Sequence, residues 1–296
     1  MRLLINSEGK LRAIWRAVIF FALGNWAIFP LLGRLSSMVE TKLRMAQGLT
    51  PANVALSEIQ NLCTGLICTG IFALYERRRV DSYGLPVQRA LGERTWEGAA
   101  AGALMAGAVA LGMLALGDMQ IHGFATKGST LALYALGWLG ANVCVGIAEE
   151  FWYRSYLLQT LWKSLGVWPA SIAIALVFAA DHYFYKTGEN IWDVITLASL
   201  SLLLCYSVLR TGTLWFAVGF HMAFDYVQLF VIGTPNGSRI PAGRLLDATF
   251  QGPAWLTGGV LGTEASFLMY PLIALAWIYV WWRFPGNEPN RAGLVQ

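Results

Sequence analysis

The sequence predicts an all-α polytopic membrane protein with about eight transmembrane helices, on three observations. Of 296 residues, 56% are hydrophobic and only 13% charged, with a mean hydropathy of +0.53, more apolar surface than one water-soluble core can hide. The apolar residues gather into eight runs near the ~20-residue length that a hydrocarbon core of ~30 Å requires. The chain shows no repeat, low-complexity tract or soluble domain, so one membrane-embedded unit is the economical organisation.

The first run, 13–33, follows Arg2, Lys10, Arg12 and Arg16 as a signal peptide would, but no small-x-small site closes it, so an uncleaved anchor is expected. The second, 54–75, contains Glu58, to which the sequence gives no role, and ends before Arg77-Arg78-Arg79. The third, 97–116, opens on Gly98 and Gly102, a small-xxx-small spacing suited to close helix packing in lipid. The fourth and fifth, 130–161 and 167–185, are joined by a tight connection from Lys163 to Gly166. Runs 191–209, 213–232 and 265–283 complete the set. The basic connection around Leu85-Pro86 suits a short interfacial helix. From 233 to 264, Pro235-Asn236-Gly237, Gly252-Pro253 and Gly258, Gly259 and Gly262 are turn chemistry rather than helix. The chain thus divides into 1–89, two helices and a basic loop; 90–232, a membrane domain; and 233–296, a long loop with the last helix.

Composition narrows the function. The net charge of +4 is spread over loops rather than one tract, which excludes nucleic acid as a partner. Cys63, Cys68, Cys144 and Cys205 all lie in apolar runs, where cysteine acts as a small hydrophobe, and they form neither a disulfide framework nor a Cys-x-x-Cys motif. With both termini in the cytoplasm, thirteen Lys and Arg fall inside, seven outside and Arg154 within the membrane. That distribution follows the positive-inside rule, and the short loops and lack of targeting signals suit a multi-pass protein of a bacterial plasma membrane in contact with lipid.

Ionisable side chains inside a bilayer are costly and mark functional sites by default. Three runs carry them, as Glu149, Glu150 and Arg154, then Phe178 and His182, then His221 and Asp225. Glu150 and Arg154, four apart, share a helical face in the favourable acid-before-base order, while Glu149 points about 100° away. Counting outward from Gly166, Glu149 lies 17 residues back and His182 16 forward. Both therefore sit ~25 Å along adjacent antiparallel helices, whose axes pack about 8 to 10 Å apart. A water or metal held between them is geometrically reasonable. The bland alternative for each group, an ion-pair network or a packing histidine, weakens when all three helices bear polar faces.

Two chemistries follow. A carboxylate beside an imidazole can take a proton from water and return it to a leaving amine, while the second imidazole with Asp225 positions substrate or stabilises the oxyanion. Alternatively, Glu149, His182 and His221 could be three ligands of a zinc ion with a fourth position open to water. The residues alone do not choose between these.

At these positions the chain resembles the CPBP family, the CAAX proteases and bacteriocin-processing or bacteriocin-immunity proteins. The resemblance implies an intramembrane endopeptidase in which Glu149 activates water with His182, Glu150 and Arg154 support the site, and His221 and Asp225 line the oxyanion side. Asp225 departs from the eukaryotic pattern, which has Asn there. An ionised Asp only accepts hydrogen bonds, so Asp225 is expected to orient His221. Zinc stays optional in this reading. The expected substrates are membrane proteins or short lipophilic peptides rather than prenylated CAAX proteins. A non-catalytic peptide-binding or immunity protein is the alternative, and a proton-coupled transporter is disfavoured because no inverted repeat is visible.

Overall fold

The computed structural model describes residues 4–6 and 9–285, so Arg2 and the end of the 233–296 segment lie outside the described residues. Among the described residues, seven helices are long and apolar enough to cross a membrane. They are α1 (Ala13–Leu43), α2 (Pro51–Glu76), α3 (Glu93–Leu116), α4 (Ser129–Leu165), α5 (Val167–Tyr185), α6 (Ile191–Thr211) and α7 (Trp215–Ile232). Each expected run from 13 to 232 coincides with one of them. Large apolar side chains such as Leu74, Leu104, Leu133 and Leu136 are exposed on the outer surface, where hydrocarbon rather than water suits them.

The eighth run forms a shorter helix than expected. Helix α8 (Met269–Arg283) has 15 residues, or about 22 Å, because Thr263–Ala265 is a separate 3₁₀ turn and Pro271 sets the first turn of the helix. The hydroxyl of Ser266 accepts from the Leu268 amide at 3.1 Å and marks that start. The connection after α2 forms two 3₁₀ turns, Val80–Tyr83 and Val87–Arg89, instead of one interfacial helix. A small antiparallel sheet of β1 (Met119–Phe124) and β2 (Leu246–Phe250) was not legible in the sequence. A bulge at His122 interrupts its register, and this third histidine bonds Thr249 across the strands at 2.9 Å on the exposed surface, away from the other two.

Helix α7 is held between α3 and α4 by backbone contact. A Cβ built on Gly98 would lie 2.0 Å from the Phe216 carbonyl oxygen, and one on Gly102 2.1 Å from that of Phe220. Reciprocally, a Cβ on Gly219 would lie 2.0 Å from the Thr95 oxygen, and on the other side one on Gly146 of α4 would lie 2.8 Å from that of Val218. Only glycine permits these approaches, as expected for Gly98 and Gly102.

The two membrane faces differ in charge. Arg16 pairs with Glu76, Arg283 with Glu93 and Glu97, and Arg210 Nε donates to the Phe284 oxygen at 2.5 Å. The start of α1, the ends of α2, α6 and α8 and the start of α3 therefore share one basic face. The opposite face carries the sheet and the long loop, where Ala242 N–H donates to Leu49 O and Leu245 N–H to Phe230 O.

Gly102→Val is expected to lower the melting temperature in detergent by several degrees or to prevent folding, since overpacking costs about 1–3 kcal/mol or more. Gly107→Ala, whose added Cβ meets nothing within 4 Å, should be neutral or stabilising. Unchanged melting of Gly102→Val would contradict the backbone contact.

Candidate functional site

Helix α4 delivers its polar group at an irregular point. Residues Tyr153–Leu157 form a π-turn, with Ser155 at φ −83° and ψ −105° and its hydroxyl donating to the Phe151 oxygen. Such bulges rotate side chains off the regular helical stripe and often occur at functional sites. Glu150 and Arg154 are both fully buried, and Arg154 Nη1 donates to Glu150 Oε1 at 2.7 Å. Arg154 Nη2 also donates to Ser201 Oγ of α6 at 2.8 Å, and its guanidinium lies 5.4 Å from the Phe178 ring of α5. Desolvating two charges is expensive and is offset only when both are paired and hydrogen-bonded.

His221 of α7 completes the centre. Its Nδ1 lies 2.9 Å from Glu150 Oε1, while Nε2 is 3.8 Å from Glu149 Oε2 and 3.6 Å from Asp225 Oδ2. With Nδ1–H donating to Glu150, the ring presents Nε2 to the other two carboxylates. The two neighbouring glutamates of α4 thus meet the same imidazole at its two nitrogens. Glu150 stands behind it, and Glu149 beside it.

A cavity of about 650 Å³ lies in front of this cluster, lined by Glu149, Arg154, His182, His221 and Asp225 but not by Glu150. His182 bonds the Phe178 oxygen through Nδ1 at 3.0 Å. A carbonyl only accepts, so Nδ1 carries the hydrogen and Nε2 of the neutral ring is an acceptor. Spacing placed His182 opposite Glu149. The structure puts both on the wall of one cavity, and the imidazole in direct range of Glu149 is His221.

Other lining residues were not assigned from the sequence. Glu58 of α2 lines the cavity and accepts from Asn61 Nδ2 at 2.9 Å, and its presence as a carboxylate in an apolar run was the available signal. Asp181 lines it too and accepts from Tyr153 Oη at 2.6 Å. Lys186, paired with Glu264, joins the end of α5 to the long loop at the cavity's edge.

Among the described residues no three His, Cys, Asp or Glu side chains are grouped as metal ligands. No step below is routed through a metal.

Residues 131–227, which contain every residue of this cluster, match the family model for type II CAAX prenyl endopeptidase Rce1-like proteins. Over this third of the chain the protein is similar to the CAAX/CPBP intramembrane protease family. The match lies within the 90–232 segment and leaves Glu58 and the long loop outside it. No curated protein and no solved structure matches the chain.

Two predictions follow from the electrostatics. Glu150→Gln leaves Arg154 buried without its counter-charge and should cost about 3–5 kcal/mol, and adding Arg154→Met should recover part of the loss in thermal denaturation. No greater stability in the double variant than in Glu150→Gln would contradict the pairing. Outside the membrane, Glu189 is pushed up to about 8, mainly by burial and then by neighbouring Asp193, with Lys186 opposing. A carboxyl raised on folding stabilises fully below its ordinary value and loses that contribution as pH rises through the folded one. Hydrogen exchange in the 186–190 loop should accelerate between pH 6 and 9 beyond its intrinsic rate, and Glu189→Gln should remove the excess.

Proposed function

We propose that the protein is an intramembrane endopeptidase that hydrolyses peptide bonds of membrane-associated proteins or lipophilic peptides with water activated by Glu149. The observation that carries this reading is the position of Glu149 Oε2. It is buried without a protein hydrogen-bond partner 3.8 Å from His221 Nε2, while the Glu149 side chain as a whole lines the cavity, so the carboxylate is placed to take a proton from a water held there.

In this mechanism Glu149 accepts a proton as the water oxygen attacks the scissile carbonyl carbon. Collapse of the tetrahedral intermediate breaks the C–N bond, and the same proton passes from Glu149 to the departing amine, which is general base then general acid work. His221 donates from Nε2–H to the oxygen of that water, whose two hydrogens go to Glu149 and His182. Glu150 fixes the His221 ring, Arg154 fixes Glu150, and Asp225 keeps Nε2 in place. His182, with Nε2 left as an acceptor, steers the second hydrogen of the water from across the cavity. The family resemblance also pairs Glu149 with His182 and gives Glu150 and Arg154 a supporting role, but it puts His221 and Asp225 on the oxyanion side, where this proposal has His221 hold the water.

We further place the chain in a bacterial plasma membrane with its basic face, and both termini, on the cytoplasmic side. Lipid surrounds it, and the substrate enters a cavity between helices.

The test is cleavage of a proteome-derived peptide library by purified protein in detergent. Glu149→Gln should lower the rate at least ~10²-fold to 10⁴-fold, the usual worth of a positioned base, without lowering the melting temperature. Wild-type rates in that variant would remove Glu149 from its role. Absence of cleavage by folded wild-type protein, with peptide binding retained in both, would favour the non-catalytic peptide-binding or immunity reading.

A further inference from the structure

The loops that line the active-site cavity lie on the face opposite the basic one. The loop residues that line it, Leu49, Lys186, Thr187, Asn236, Arg239 and Glu264, all belong to connections on the sheet-bearing face. None of its lining residues comes from the turns of the basic face, between α2 and α3, α4 and α5, or α6 and α7. Toward that face the space is filled by Phe20, Phe72, Tyr83 and Tyr156, each no more than 6% exposed. The Phe20 and Tyr156 rings stack at 5.0 Å, and the Tyr156 and Tyr83 hydroxyls donate to Glu76 at 2.8 and 3.1 Å. A packed aromatic layer with satisfied hydroxyls leaves no route for a polypeptide.

Two further features describe what enters. Trp26 and Phe29 of α1 line the cavity, yet Trp26 is 79% and Phe29 37% exposed, so this wall is open sideways to lipid. At the loop end of the cavity Arg239 is exposed on the rim. An occupant with an apolar part in the bilayer and a polar part in the water beyond the loop face matches both features.

The positive-inside rule assigns the basic face to the cytoplasm. We propose, resting on the endopeptidase reading above, that the site draws its substrates from the non-cytoplasmic side of the membrane. The substrate class is exported membrane-associated polypeptides, cut where a lipid-embedded segment emerges on that side. Cytoplasmic lipid-anchored chains would meet the sealed aromatic layer instead.

Sidedness is measured without any turnover, which keeps this inference separable from the endopeptidase reading. Single cysteines are introduced as Arg239→Cys, Ser238→Cys and, on the basic face, Arg78→Cys. Each is treated with a membrane-impermeant maleimide in intact spheroplasts and again after permeabilisation, with the unmodified chain as blank. The expected result is labelling of Arg239→Cys and Ser238→Cys in intact spheroplasts, and of Arg78→Cys at least tenfold more after permeabilisation. The reverse pattern, or equal labelling of both faces in intact spheroplasts, would overturn the proposal. So would failure of both rim cysteines to react even after permeabilisation, which would show the loop end closed to water. If the labelling holds and purified protein still cleaves nothing, the endopeptidase reading fails and the orientation of the cavity stands.

Discussion

The cost of burying charge inside a membrane is the constraint on which this structure depends. Glu150 and Arg154 have no exposure, and neither could stay there alone. Their partners come from three other helices: Ser201 from α6, Phe178 from α5 and His221 from α7 surround the pair on α4. Satisfying that one pair therefore constrains the rotation and depth of α4, α5, α6 and α7 where they line the cavity. The same network that makes the buried charges tolerable aims His221 at Glu149.

Glycine supplies the second condition. Were α7 a side chain's width further from α3 and α4, His221 could not reach the carboxylates of α4. Backbone contact at Gly98, Gly102, Gly146 and Gly219 brings it there. The π-turn at Tyr153–Leu157 adds the local twist that places Arg154 over Phe178. Chemistry and packing are thus joined: the bulge and the glycines would be liabilities in an ordinary helix, and here they set the geometry of the polar centre.

Much of this was legible in the sequence because lipid imposes simple rules. A bilayer demands long apolar runs, so α1 to α7 could be read from composition, and it penalises charge, so Glu149, Glu150, Arg154, His182, His221 and Asp225 stood out. Pairing partners were harder to read. Glu150 and Arg154 share a face and could be joined by counting residues, but which imidazole meets Glu149 depends on helix rotation, and that is set by contacts far apart in the chain. Glu58 resisted assignment because its run gives no sign of which face looks inward. The β1–β2 sheet escaped notice because its strands are short and separated by more than a hundred residues, and α8 was read too long because an apolar stretch does not show where Ser266 and Pro271 start the helix.

The central claim is that a water molecule held by Glu149 attacks the peptide directly, with no covalent enzyme intermediate. The measurement that tests it most directly is cleavage of a susceptible peptide in ¹⁸O-labelled water containing hydroxylamine as a competing nucleophile, with products read by mass spectrometry. Direct attack predicts one ¹⁸O in each new carboxyl group and no hydroxamate. A hydroxamate forming in competition with the acid would reveal an acyl-enzyme and contradict the account.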